Sequence, residues 1–308
     1  MSVTIALAGN PNCGKTTMFN ALTGANQYVG NWPGVTVEKK EGKLKNQKDV
    51  TVTDLPGIYS LSPYTLEEVV SRDYLLKEKP DVIIDLVDAT NIERNLYLAT
   101  QLLEIGIPVV IALNMVDLLK KNNIHINVKG LSSALGCPIV ETSALKGTGL
   151  KEVVDEAIKC ANQHRVPSKQ MEFPKAVEKA VNEIEGFVPA NIAEENKRWY
   201  AVKLLERDSK VKEGLNLPAS AQSRIEEIAS GLEKAEDDDT ESIVTDGRYQ
   251  YIQKVVSANV KRSGNKMTVS DKIDRIVTNR ILGLPIFILT MFIVYYVSVT
   301  TVGTMVTD

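Results

Sequence analysis

The eight residues Gly9-Asn10-Pro11-Asn12-Cys13-Gly14-Lys15-Thr16 read G-x-x-x-x-G-K-T and follow the apolar run Val3-Thr4-Ile5-Ala6-Leu7-Ala8. Thr17 to Thr23 then shows helical spacing. Strand, glycine loop and helix in that order are the context of a phosphate-binding loop opening an α/β domain. The glycines let consecutive N–H groups turn toward phosphate oxygens, and the helix N-terminus adds its positive dipole end. Lys15 is expected to reach the β- and γ-phosphates, the Thr16 hydroxyl to ligate Mg²⁺, and Thr17 to line the same end. A chance glycine turn is the alternative, and a complete pattern in this context speaks against it.

The residues that follow say which nucleotide. Asn26 to Thr36 is rich in Gly, Asn and Pro without periodicity, so a loop is expected there. It stands where GTPases keep their first switch, with Thr36 as the candidate to complete the Mg²⁺ shell and Gly34 and Val35 beside it. Val37 to Lys45 and Val50 to Thr53 read as a hairpin on a sheet edge, ending at Asp54-Leu55-Pro56-Gly57. This is D-x-x-G: Asp54 is placed to hold Mg²⁺ through water, and the Gly57 N–H to sense the γ-phosphate. Ile58 comes next, where many GTPases have a glutamine. An isoleucine cannot orient a nucleophilic water, so hydrolysis must be activated otherwise or be slow.

Asp81 to Asp88 reads as a buried parallel strand, Ile92 to Leu103 as an amphipathic helix, and Pro108 to Leu113 as a second buried strand. The last runs into Asn114-Met115-Val116-Asp117, an N-x-x-D at a strand's carboxyl end. A carboxylate at Asp117 can accept from the N1–H and 2-amino group of guanine, and adenine offers neither. Met115 stands where a lysine is commoner, so an aliphatic chain would face the base. Pro138 to Thr142 forms a last strand leading to Ser143-Ala144-Leu145, whose backbone would meet the guanine O6, and Glu152 to Ala161 closes the domain as a helix. The alternation predicts an α/β fold with a mixed, mostly parallel sheet covered by helices on both faces.

At Val166 the composition changes: Pro167, Ser168 and Pro174 suggest a linker, and helical patterns follow at 176–184, 194–205, 220–232 and 241–260. The acidic run Glu236 to Glu241 is expected to be a solvated helix N-terminus rather than a metal site. Net charge is −3, from 36 basic and 39 acidic residues, which excludes a general basic field for nucleic acid. The three cysteines, Cys13, Cys137 and Cys160, lack metal-ligand spacing and fit reduced thiols. Six basic residues between Lys261 and Arg280 precede an uncharged run over 281–307. At about 1.5 Å per residue that run would span about 40 Å as a helix, enough for one membrane crossing with the preceding domains on the cytoplasmic side. The expected organisation is a GTPase domain at 1–165, a small all-α domain at 166–262, a basic linker at 263–280 and one transmembrane segment at 281–307. A chain ending just after its membrane segment is expected to be a fragment.

G-N-P-N-C-G-K-T-T, V-G-N-W-P-G-V-T-V-E and D-L-P-G-I-Y-S-L closely resemble the N-terminal region of the ferrous iron transport protein B family. The resemblance is detailed over 1–165, looser over 166–262, where Asp246-Gly247-Arg248-Tyr249 is its recognisable core, and returns in the apolar tail. It implies a P-loop Ras-like GTPase, a helical domain acting on nucleotide release, and a polytopic membrane domain for Fe²⁺ at the inner (plasma) membrane. It further implies K⁺ activation, with Asn12 and the carbonyls of Gly30 and Trp32 as ligands. The partners implied are GTP and GDP, the membrane domain of the same longer chain and small accessory iron-transport proteins, with an oligomer left open. Two rivals stand beside this reading: a soluble GTPase of ribosome or RNA assembly, and a nucleotide-binding switch with negligible hydrolysis.

Overall fold

A computed structural model describes residues 2–24, 27–45, 47–169, 171–262 and 283–296. The chain divides into two units, Met1–Lys261 and Arg262–Asp308. In the first, β1 (Val3–Gly9) is a strand buried along nearly its whole length, and α1 (Lys15–Thr23) follows the glycine loop. Three strands come next: β2 (Gln27–Asn31), β3 (Glu38–Leu44) and β4 (Gln47–Asp54). Helix α2 (Leu66–Asp73) starts with a reciprocal cap between Thr65 and Glu68 and passes into one π-turn, Tyr74–Glu78. Strand β5 (Val82–Asp88), α3 (Ile92–Leu102) and β6 (Val109–Asn114) form the centre of the domain. Then come α4 (Val116–Leu119), β7 (Ile124–Ile126), α5 (Val128–Leu135), β8 (Ile139–Glu141) and α6 (Leu150–Asn162).

The seven-stranded sheet runs β2-β3-β4-β1-β5-β6-β8. Pairings β1–β4, β1–β5, β5–β6 and β6–β8 are parallel, and β2–β3 and β3–β4 antiparallel. This is the expected mixed sheet, with one correction. Gln27–Asn31 is a strand paired with Glu38–Lys39–Lys40–Glu41–Gly42, not part of a loop. The sequence lacks alternation there because this edge strand is solvated on both faces, with Tyr28 and Val29 both exposed. Backbone pairing to β3, together with the pleat preference of Tyr and Val, is enough to fix it.

Met18, Phe19 and Leu22 of α1 and Val153, Val154, Ala157 and Cys160 of α6 cover one face of the sheet. Helices α3 and α5 cover the other. Over α3 lie α7 (Lys175–Glu185), α8 (Glu194–Leu205), α9 (Ser209–Leu215), α10 (Ala219–Glu236) and α11 (Thr240–Asn259). Leu98 and Leu102 of α3 share a core with Val177, Val181, Trp199 and Leu205, while Leu96 and Ala99 meet Ile252 and Val256 of α11. Each fully buried leucine contributes roughly 2 kcal/mol, so α3 is fastened on two sides. Asp239, in the acidic run, caps α11 by accepting from the Ser242 N–H at 2.9 Å.

In the second unit, Gly283–Tyr296 is a helix of 14 residues. Among the described residues no helix is long and apolar enough to cross a membrane. The expected basic linker and the ends of the expected membrane segment, 281–282 and 297–307, lie outside the described residues.

Candidate functional site

The glycine loop turns out of β1 through three backbone positions with positive φ: Gly9 at 149°, Asn12 at 66° and Gly14 at 95°. Asparagine tolerates the left-handed region better than most residues. At Gly14 no other residue fits, because a Cβ would lie 2.4 Å from Nδ2 of Asn114. Helix α1 begins at once with no side-chain cap, so its first N–H groups remain for an anion. Cys13 faces inward and is buried in the core, where burial pushes its thiol up to about 12. It is a packing residue whose backbone alone belongs to the loop.

Lys15 is buried and donates from Nζ to Oδ1 of Asp54 at 2.7 Å. The D-x-x-G segment lies directly against the phosphate loop. The Leu55 N–H donates to the Leu7 carbonyl at 3.0 Å and the Ile58 N–H to the Gly9 carbonyl at 3.3 Å. A Cβ on Gly57 would come within 3.2 Å of Pro11 Cα. Ile58, at the usual glutamine position, is 2% exposed and packs with Ala6, Ala8, Leu55 and Leu61.

At the other end of the cavity Asn114 ties three segments together. Its Nδ2 donates to the Cys13 carbonyl at 2.8 Å, and its Oδ1 accepts from the Ala144 N–H at 2.9 Å. Met115 adopts a left-handed conformation (φ 63°), which turns the chain so that Val116 and Asp117 start α4. Ser143 Oγ donates to Asp117 Oδ1 at 2.8 Å, and Lys146 Nζ lies 3.3 Å from Oδ2. The Ser143 hydrogen bond and then the Lys146 charge hold Asp117 below the ordinary carboxylate range.

These residues enclose one cavity of about 710 Å³. Its walls include Asn10, Pro11, Asn12, Gly14, Lys15, Thr16, Thr17, Gly57, Asn114, Met115, Asp117, Ser143, Ala144 and Leu145. The remaining expected residues are elsewhere. Gly34, Val35 and Thr36 lie between β2 and β3, with Thr36 exposed and off the cavity wall. Gly30 is within β2, and the Trp32 carbonyl accepts the Val35 N–H at 3.3 Å, while the Trp32 ring meets Tyr74 edge-on at 5.2 Å. Gly9, Cys13, Asp54, Leu55, Pro56 and Val116 stand just behind the wall. The Thr16 hydroxyl on the wall and the Asp54 carboxylate behind it are oxygen donors of the kind a divalent cation takes. For K⁺, only Asn12 among the three expected ligands faces the cavity.

Sequence reasoning missed Leu118, which lines the same cavity as Asp117, and Lys146, whose amine lies 3.3 Å from the Asp117 carboxylate. Both signals were adjacent to residues already chosen: Leu118 follows Asp117, and Lys146 follows Leu145.

The model of the family described as "Ferrous iron transport protein B" matches residues 3–157, and the "FeoB cytosolic helical domain" matches 173–261. The Fe(2+) transporter FeoB of Escherichia coli (strain K12) is 39% identical over 98% of this chain, which spans 39% of that protein's length. A Fe(2+) transport protein A/Fe(2+) transporter FeoB fusion protein of Porphyromonas gingivalis is 40% identical over 95% of this chain and 36% of its own length. Among solved structures, an S. thermophilus NFeoB E67A mutant bound to GDP superposes with a TM-score of 0.79 at 47% identity, covering 84% of this chain and all of that one. The mGMPPNP-bound S. thermophilus NFeoB gives 0.75 at 47% identity, over 85% of this chain and 100% of its own. Phosphate loop, D-x-x-G and N-x-x-D converge on one cavity, the helical region packs on α3, and both family models match in order: this chain belongs to the ferrous iron transport protein B family.

Proposed function

We propose that this chain binds and hydrolyses GTP with Mg²⁺ as the regulatory part of a ferrous iron membrane transporter, its nucleotide state governing Fe²⁺ uptake. The observation that carries the reading is Asn114, whose one amide holds the phosphate loop through Cys13 and the base end through Ala144. A nucleotide filling the cavity would thus touch two ends of one hydrogen-bonded frame. Lys15 and the α1 N–H groups would grip the phosphates, Gly57 would sense the γ-phosphate, and Asp117 would select guanine. Thr16 would hold Mg²⁺ directly and Asp54 through water, and Thr36 would join them on movement of the segment between β2 and β3. Bound there, the cation neutralises charge on the phosphates. Water attacks in line and GDP leaves. Among the described residues the carboxylate on the cavity wall is Asp117, at the end given to the base, and Ile58 is buried, so intrinsic turnover is expected to be slow.

K⁺ is the proposed further activator, with Asn12 as its cavity-facing ligand and the Gly30 and Trp32 carbonyls brought in by the same movement. GTP turnover is expected to be several-fold faster in KCl than in NaCl, roughly 1 kcal/mol of barrier, and Asn12→Ala should erase the difference. Equal rates in the two salts for the unaltered chain would remove K⁺ from the account. The proposed partners are GTP, GDP, a membrane domain in a longer chain and a small accessory protein. The last is supported by the fused relative in Porphyromonas gingivalis. The proposed location is the cytoplasmic face of the inner membrane. Calorimetric titration tests the core of the proposal: GTP and GDP should give heat and ATP should not, and equal heat with ATP would defeat it.

A further inference from the structure

Helix α3 meets the nucleotide loops at one end and the helical region along its length, and Arg94 stands at the first of these junctions. Its backbone carbonyl accepts from Nδ2 of Asn10, a phosphate-loop residue only 3% exposed, at 3.4 Å. The other amide atom of Asn10, Oδ1, is buried with no hydrogen-bond partner among the described residues, so this joint keeps one acceptor for a donor from a neighbouring segment. The Arg94 guanidinium lies over the ring of Tyr59, 4.3 Å from its centroid. Tyr59 is two residues beyond Gly57, and the residue between them donates its N–H to Gly9. One arginine therefore touches the phosphate loop with its backbone and the D-x-x-G segment with its side chain.

The same helix carries the contacts that explain Asp246-Gly247-Arg248-Tyr249, a motif the nucleotide site leaves unused. Tyr97, one turn after Arg94, stacks on Tyr249 at 5.1 Å and shares a hydrogen bond with Thr245 at 3.2 Å. Glu104, just past the helix end, receives Arg248 through both carboxylate oxygens at 3.0 and 2.7 Å. Gly247 is needed where α11 passes Phe173, since a Cβ there would lie 2.9 Å from the ring. With its far end so fixed, α3 is a stiff mount, and Arg94 is the group through which it grips the segment carrying Gly57.

We propose that Arg94 is a positioning residue for GTP hydrolysis, holding Tyr59 so that Gly57 stays seated against the phosphate loop; this rests on the GTPase reading above. The arginine acts through Tyr59 and contacts no reacting atom. An exposed cation–π contact is worth about 0.5–1 kcal/mol, or about two- to fivefold in rate.

The test uses the full chain with steady-state GTP turnover and GDP affinity measured side by side. Arg94→Ala and Tyr59→Ala should each lower kcat about two- to fivefold while GDP affinity stays within about twofold. Tyr59→Phe, which keeps the ring, should retain kcat, and Arg94→Ala/Tyr59→Ala should be no slower than either single variant. Tyr59 is 43% exposed, so its replacement probes the contact without disturbing α3. Losses that multiply in the double variant, an unaltered kcat in Arg94→Ala, or a Tyr59→Phe as slow as Tyr59→Ala would overturn the proposal. Variants equal to a parent that turns over GTP refute the positioning role alone. A parent that turns over no GTP refutes the reading beneath it as well.

Discussion

Asp117→Asn is expected to weaken binding of GTP and GDP about a hundredfold and to turn the site toward xanthine nucleotides. Ser143 and Lys146 occupy one position on each carboxylate oxygen and keep the group ionised. The remaining lone pairs are free for the N1–H and 2-amino group of guanine. An amide in its place offers one acceptor and sets an N–H against a donor. Hydrogen bonds to a charged group contribute about 1.5–3 kcal/mol each, so losing one and opposing the other costs about 3 kcal/mol, near two decades of affinity. Xanthine carries a carbonyl where guanine carries the amino group, and asparagine can donate to it. Calorimetry with GDP and XDP checks both parts. A variant that keeps the parent's preference for GDP would remove Asp117 from base recognition.

Arg248→Met is expected to lower the unfolding free energy by about 3–5 kcal/mol, the cost of breaking a buried ion pair on one side. Arg248 is fully buried and Glu104 is 1% exposed, and the guanidinium also lies 5.2 Å from the Phe173 ring centroid. Removing the cation leaves a buried carboxylate without its two hydrogen bonds. Removing both charges should recover most of the loss, because well-packed apolar residues tolerate such a site. Urea denaturation of Arg248→Met and Arg248→Met/Glu104→Met decides the matter. If the single variant loses less than about 1 kcal/mol, the pair does not hold α11 to α3.

How much of this was legible follows from what each residue faces. Strands β1, β5 and β6 are buried on both faces, so each reads as a nearly continuous apolar run, interrupted by Thr4 in β1 and Asp85 in β5. The glycine loop declares itself because Gly14 has no room for a Cβ. Strand β2 was missed because it is paired through backbone and solvated on both sides, which leaves no hydrophobic period. Helices α2 and α9 escaped notice: α2 is announced only by the short Thr65–Glu68 cap, and it is held by Arg72 donating to Asp208 at 2.7 Å, a contact across 136 residues that no local pattern encodes. The base end was read from N-x-x-D, yet the role of Asn114 as a brace between loops needed the fold, since its partners lie 101 and 30 residues away. Arg94 carries no motif, and Tyr59 stands in D-L-P-G-I-Y-S-L, which marks the resemblance without assigning its ring a role.

On the proposed GTPase reading, Ile58 would give the molecule a clock that point substitution does not easily reset. Its side chain sits among Ala6, Ala8, Leu55 and Leu61 rather than over the nucleotide cavity. Ile58→Gln would strand a primary amide among alkyl groups, costing about 1–3 kcal/mol of stability, and would still point it away from the phosphates. On the proposed GTPase reading, faster turnover would call for an outside agent, an ion or a protein, whose supply the cell can meter.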